Sequence, residues 1–175
     1  PILICLDKKS MSMTKNILYV ADVQGPKIVR ERGIKRNFNI AGNTKVFGIC
    51  SALRAQGHTV TIYSQASVAE KIGGFHCASK EGITTPNGNI QLVYGATIDN
   101  RYLRIFTELG SAICSLPSVF RNHCIDTVFV YNITLLNVII AFVGWCLGKG
   151  VFLEYEDYAV LARTSSPPYW KKIYR

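Results

Sequence analysis

Acidic residues are scarce in this chain: 11 Asp and Glu face 20 Lys and Arg over 175 residues, a formal net charge of +9. A fold of this size gains no packing from such an imbalance, so the excess points to an anionic partner. Nucleic acid, acidic phospholipid and phosphorylated substrates all suit it; a merely solvated basic surface is the plain alternative. Also missing is any C-x-x-C among Cys5, Cys50, Cys77, Cys114, Cys124 and Cys146. That disfavours a zinc site or a disulfide framework, and the apolar runs around Cys50, Cys114 and Cys146 read as buried, reduced thiols. Low-complexity tracts and internal repeats are lacking, and 49% of the residues are hydrophobic, which is an ordinary globular composition for one domain. No P-loop and no Gly-x-Ser-x-Gly occurs, and the three histidines share no ligand spacing, so no metal site is expected. His58 follows a helix-ending glycine, where an imidazole is stabilising without being catalytic. "PILICL" is too short for a signal-peptide core and has no basic region before it, so a cytoplasmic place is expected.

What is present alternates between strand and helix patterns. Met11 and Met13 precede "TKNILYV", so residues 1–13 read as an extension and 14–175 as the domain. "NILYVAD" (16–22) is a short apolar run with a polar tip, as a buried parallel strand should be. A polar segment, 23–40, follows and is too long for an ordinary connection. A helix is expected from about Asn43 or Thr44, either of which can cap it, to the stop at Gly57. "TVTIYS" (59–64) is the second strand and Ile90–Tyr94 the third, after the turn "TPNGN". An amphipathic helix from about Tyr102 places Leu103, Phe106, Leu109 and Ile113 on one face, and Pro117 ends or kinks it. "DTVFVYN" (126–132) is the fourth strand, 133–148 a very apolar helix, and "GVFLEYED" (150–157) the fifth strand. No charged residue lies between Thr127 and Gly148, a stretch long enough for a membrane span. Asn132 and Asn137 interrupt it, however, and a strand plus a buried helix is the better reading. The alternation predicts an α/β fold, a Rossmann-like doubly wound parallel sheet.

The stretch "AGNTKVFGICSALRAQGHTVTIY" (41–63) stands where such a fold carries its phosphate loop, yet it has no G-x-G-x-x-G. A helix start offers unpaired N–H groups, and Gly42 allows close approach, with Asn43 and Thr44 as donors and Lys45 as a nearby charge. The plain alternative is an ordinary helix start.

"NILYVAD" followed by "AGNTKVFGICSALRAQGHTVTIYS" resembles the N-terminal domain of GT-B glycosyltransferases of the family-4, or group 1, type. The likeness continues through "DTVFVYN" and "GVFLEYEDYA" and covers most of the chain from Asn16 onward. It implies one half of a GT-B architecture: the acceptor-binding half of a retaining enzyme that moves a sugar from a nucleotide-sugar to an acceptor, lipid-linked in some members, in polysaccharide or glycolipid synthesis. The implied donor-phosphate and substrate contacts are Gly42, Asn43 and Thr44, with Asn132 at a strand tip. Glu156 and Asp157 stand where many members carry a histidine, and are the candidate catalytic residues. A carboxylate there can accept a sugar hydroxyl's hydrogen bond, though strand-tip carboxylates are also ordinary N-caps. Where the family often has two adjacent glycines, this chain has Gly42-Asn43. The resemblance implies no metal, no cofactor beyond the nucleotide-sugar donor, and no nucleic acid. The donor half carries two glutamates eight positions apart, and no such pair occurs here, so this chain alone is expected to be inactive without a C-terminal donor domain. The basic excess then fits an anionic membrane surface on the inner face, with Arg30, Arg32, Lys35 and Arg36 as the contact. Each such side chain contributes about 1 kcal/mol near an acidic bilayer. Two other readings stand beside this one: a non-catalytic glycan- or membrane-binding module, and a nucleotide-dependent oxidoreductase. The second should show G-x-G-x-x-G and an acid closing its second strand, which instead ends "YSQAS".

Overall fold

The fold is that of a computed structural model, which describes residues 14–34, 40–66, 74–100, 102–132 and 134–154. Its centre is β1 (Asn16–Val20), hydrogen-bonded in parallel to β2 (Thr59–Ser64) on one side and to β7 (Thr127–Tyr131) on the other. Beyond β2 lies β5 (Gly88–Tyr94), also parallel, and beyond β7 lies β8 (Gly150–Glu154), parallel again. Buried parallel strands read as continuous apolar runs, and Ile17 to Val20 are all buried, as a central strand requires. The sheet order is β4-β5-β2-β1-β7-β8, with β4 (Ser79–Thr85) as an antiparallel edge. This is the expected Rossmann-like α/β layering, with one antiparallel strand added. β4 pairs with β5 across Pro86-Asn87, and its alternating half-buried and exposed residues mark an edge strand. A separate antiparallel pair joins β3 (Phe75–His76) and β6 (Thr97–Ile98).

Period-two alternation sends neighbours on each strand to opposite faces. Tyr19, Ile62 and Leu92 meet Val46 and Cys50 of α2 (Ile40–Ala55) on one side. Leu18, Val93 and Val128 meet α3 (Arg104–Asn122) and α4 (Leu135–Cys146) on the other. Side chains this fully buried contribute about 1.5–3 kcal/mol each to holding the layers together.

Several expectations need correction. The polar segment after β1 is not all loop, because α1 (Pro26–Glu31) forms within it, with Pro26 in its first turn and Gly25 before it. α2 is already helical at Ile40, so Gly42, Asn43 and Thr44 are not a turn and neither Asn43 nor Thr44 caps it. Thr44 Oγ1 instead donates back to the Ile40 carbonyl at 2.9 Å, the usual behaviour of a threonine inside a helix. α3 continues through Pro117 to Asn122. Its core face is Ala112, Leu116, Val119 and Phe120, whereas Leu103, Phe106 and Ile113 of the expected buried stripe are exposed. The apolar face of α3 is wide, and the sheet and α4 cover only the flank that carries Ala112, Leu116 and Val119. Cys50 is buried, but Cys114 and Cys146 are exposed, because both sit on helix faces turned away from the sheet. No described helix is long and apolar enough to cross a membrane.

Candidate functional site

Ligands in open α/β sheets bind outside the carboxyl ends of the strands, where the strand order reverses. Here that point lies between β1 and β7, since the chain builds outward from β1 to β2 and β5 on one side and to β7 and β8 on the other. A crevice of about 240 Å³ opens there. Its floor is Val20 and Ala21 at the end of β1, and Leu136 of α4. Around it stand Asp22, Gln65, Glu108, Asn132 and Asn137, with Tyr63 and Tyr131 as aromatic walls.

Asn132, Asn137 and Glu108 are held from behind. Thr134 caps α4 by accepting the Asn137 N–H at 3.2 Å. The Asn137 amide donates to the carbonyls of Tyr131 (2.9 Å) and Asn132 (3.1 Å), tying the β7 tip to the helix start. Asn132 has φ of 62°, a left-handed conformation that asparagine tolerates better than most residues, and its N–H reaches the Glu154 carbonyl at 2.9 Å. Glu108, on α3, accepts a bond from the Thr97 hydroxyl at 3.1 Å and lies 4.0 Å from Arg104 Nε. Burial raises its pKa above the ordinary 4.5, which the Thr97 hydroxyl and the Arg104 charge only partly oppose. The Tyr63 hydroxyl stands beside the Gln65 amide and accepts from Ser115 at 3.3 Å. Among the described residues lining the crevice, none is Lys or Arg.

The guanidinium of Arg32 acts as an internal brace. Its Nη1 donates to the carbonyls of Gln65 (2.5 Å) and Ala66 (2.9 Å), and its Nη2 to that of Gly95 at 2.7 Å. The ends of β2 and β5 are thereby fixed beside the crevice. Arg32 is 3% exposed, so its expected role at a membrane surface is withdrawn. Burial lowers its pKa, and the negative charges of Asp22 and Glu108 work against that shift. Arg30 is exposed, and Lys35 and Arg36 lie outside the described residues.

On the α2 side the same edge is already occupied by its own contacts. Backbone donors of the loop after β1 and of the first turn of α1 are spent internally: Val23 N–H on Ser64 Oγ (2.9 Å), Gln24 on Asn43 Oδ1 (3.3 Å), Gly25 on the Tyr94 hydroxyl (2.9 Å) and Lys27 on Glu81 (2.8 Å). Asn43 returns a bond to the Gln24 carbonyl at 3.2 Å, so it braces the loop instead of facing a ligand. Gly42 is buried in α2 and Thr44 is exposed. Lys45, read from sequence as a charge for phosphate, is ion-paired with Glu154 and lies 5.2 Å from the Tyr131 ring centroid. Glu154 also accepts the Tyr19 hydroxyl at 2.7 Å.

The sequence-predicted residues therefore divide. Asn132 lines the crevice; Asn43 and Lys45 reach the same edge from the other face; Glu156 and Asp157 lie outside the described residues. Sequence reading missed Asp22, Gln65 and Glu108. The first two had a usable signal, since each follows an apolar strand at the tip that faces the switch point. Glu108 had none, because a lone acid on a helix does not reveal which way it points. Among the described residues, no three of His, Cys, Asp and Glu converge to hold a metal ion. The chain matches no family model, no curated protein and no solved structure.

Proposed function

We propose that this chain is the acceptor-binding half of a retaining glycosyltransferase of the type its sequence resembles, and that the crevice between the tips of β1 and β7 receives the acceptor. The observation that carries this reading is the chemistry of the lining. Two carboxylates, Asp22 and Glu108, and three amides, Gln65, Asn132 and Asn137, surround a small space with no Lys or Arg among the described lining residues. Hydroxyl groups donate to carboxylates and both donate to and accept from amides, so such a wall fits a neutral polyhydroxyl ring. It fits a diphosphate poorly, because an anion there meets like charge. The volume supports the same division of labour: ligand pockets run to about 300–1,000 Å³, and 240 Å³ lies below that range, closer to one sugar ring than to a whole nucleotide-sugar. The donor would then approach the same edge from the α2 side, past the exposed Thr44, held mainly by a second domain. Alone, this half would lack much of the charge stabilisation and water exclusion that transfer needs, and no turnover is expected.

Amide chemical shifts recorded with neutral oligosaccharides and, separately, with a nucleoside diphosphate test the assignment. Glycans should perturb residues around Asp22, Glu108 and Asn132, and the Asn132→Ala variant should weaken that response. Perturbation there by the diphosphate and not by any glycan would refute it. Complementation with a donor-binding domain separates the enzyme from the non-catalytic glycan-binding module, since only the enzyme would then consume nucleotide-sugar.

A further inference from the structure

The outer surface of α3 and α4 is apolar where a solvated surface would be polar. On α4, Leu135, Val138, Phe142 and Trp145 recur at helical spacing on the side away from the sheet, with Phe142 59% and Trp145 67% exposed. Their rings lie 5.9 Å apart. Phe106 (71% exposed) and Ile113 (68%) extend the surface onto α3, and an apolar groove runs between the two helices. Arg121 and Lys149 line that groove. α4 carries no charge, and the single carboxylate of α3, Glu108, is turned into the crevice.

We infer that this face docks on the surface of an anionic lipid bilayer, with Phe142 and Trp145 entering the interface and Arg121 and Lys149 meeting acidic headgroups. Aromatic side chains flanked by cations are the usual composition of an interfacial helix. α4 has 12 residues, about 18 Å at 1.5 Å per residue against a hydrocarbon core of about 30 Å, so it would lie along the membrane and not cross it. Charge selects the bilayer over a second copy of the chain. A twofold contact would set this surface, with its Arg121 and Lys149, against an identical cationic one, on molecules that each carry +9. Acidic headgroups complement both. The inference does not depend on the crevice's ligand, and it replaces Arg32 as a membrane contact with a surface on the other side of the sheet.

Trp145 reports directly on this. In the 175-residue chain carrying Trp170→Phe, vesicles of phosphatidylcholine with phosphatidylglycerol should sediment the protein and shift Trp145 emission to the blue; phosphatidylcholine alone should do so more weakly. Phe142→Ser should lower partitioning about tenfold, from the loss of an aromatic side chain's burial. Its circular dichroism should not change, because that side chain is already exposed. Arg121→Glu with Lys149→Glu should abolish the preference for phosphatidylglycerol. Sedimentation without a change in Trp145 emission would overturn the inference, as would no sedimentation at all or equal binding to both vesicle types. So would a concentration-dependent dimer that Trp145→Ser dissolves in a protein that ignores vesicles.

Discussion

Replacing Arg32 by methionine should cost far more stability than replacing any exposed arginine. The guanidinium makes three hydrogen bonds to main-chain carbonyls that have no water to turn to, those of Gln65, Ala66 and Gly95. A buried acceptor left unsatisfied costs about 1–3 kcal/mol, and bonds to a charged donor are each worth about 1.5–3 kcal/mol. Methionine recovers part of the packing and removes the cost of burying a charge, so a net loss of about 3–5 kcal/mol is expected. Total stability for a domain is about 5–15 kcal/mol, so the variant should sit near the edge of folding. For a chain of this length, about 2–4 °C of melting temperature follows each kcal/mol, which puts the shift near 10 °C. Urea unfolding followed by circular dichroism measures it, with Arg30→Met as the exposed control. Arg32→Lys should not rescue, because a single ammonium cannot reproduce the fork that spans two strand ends. A loss below about 1 kcal/mol with unchanged slope would refute the account, since the three carbonyls would then have another donor.

The remaining expectations concern charge and packing. Burial raises the Glu108 pKa, so its ionised form is disfavoured in the folded state. The sign follows: the contribution of Glu108 to stability is most favourable below the unfolded carboxyl pKa and falls as pH rises from there through the raised folded value. Glu108→Gln should therefore melt higher than wild type at neutral pH, with the gap closing below about pH 4; a gap that widens on acidification would reverse the assignment. Gly144 touches the sheet, and a Cβ there would meet Val128 Cγ2 at 2.9 Å, so Gly144→Ala should destabilise by about 1–3 kcal/mol. Gly48 and Gly110 meet nothing within 4 Å inside helices, and alanine at either should stabilise by about 0.5–1 kcal/mol, read from paired urea curves.

The layering was legible in the sequence because apolar runs and helical periods report burial directly. "NILYV", "TVTIYS" and "TVFVY" are strands for the same reason that they are core: three to five consecutive apolar or β-branched residues leave no solvent-facing alternative. Where a helix carried a wide apolar face, the pattern did not say how much of it would be covered. On α3, Ile113 and Phe120 lie seven residues apart on one face, yet only Phe120 is buried, because docking against the sheet and α4 covers the flank of Leu116 and Val119. Charges were harder still. One sequence window holds Arg30 and Arg32 with equal claims on the surface, yet the strand ends of β2 and β5 meet so as to draw one guanidinium inside. The crevice is the extreme case: Asp22, Gln65, Glu108 and Asn132 come from four segments, brought together because the strand order reverses beside β1. Apolar runs fix which segments become the inner strands; only the closing of the sheet decides which helix residues are covered and which tip residues face one another.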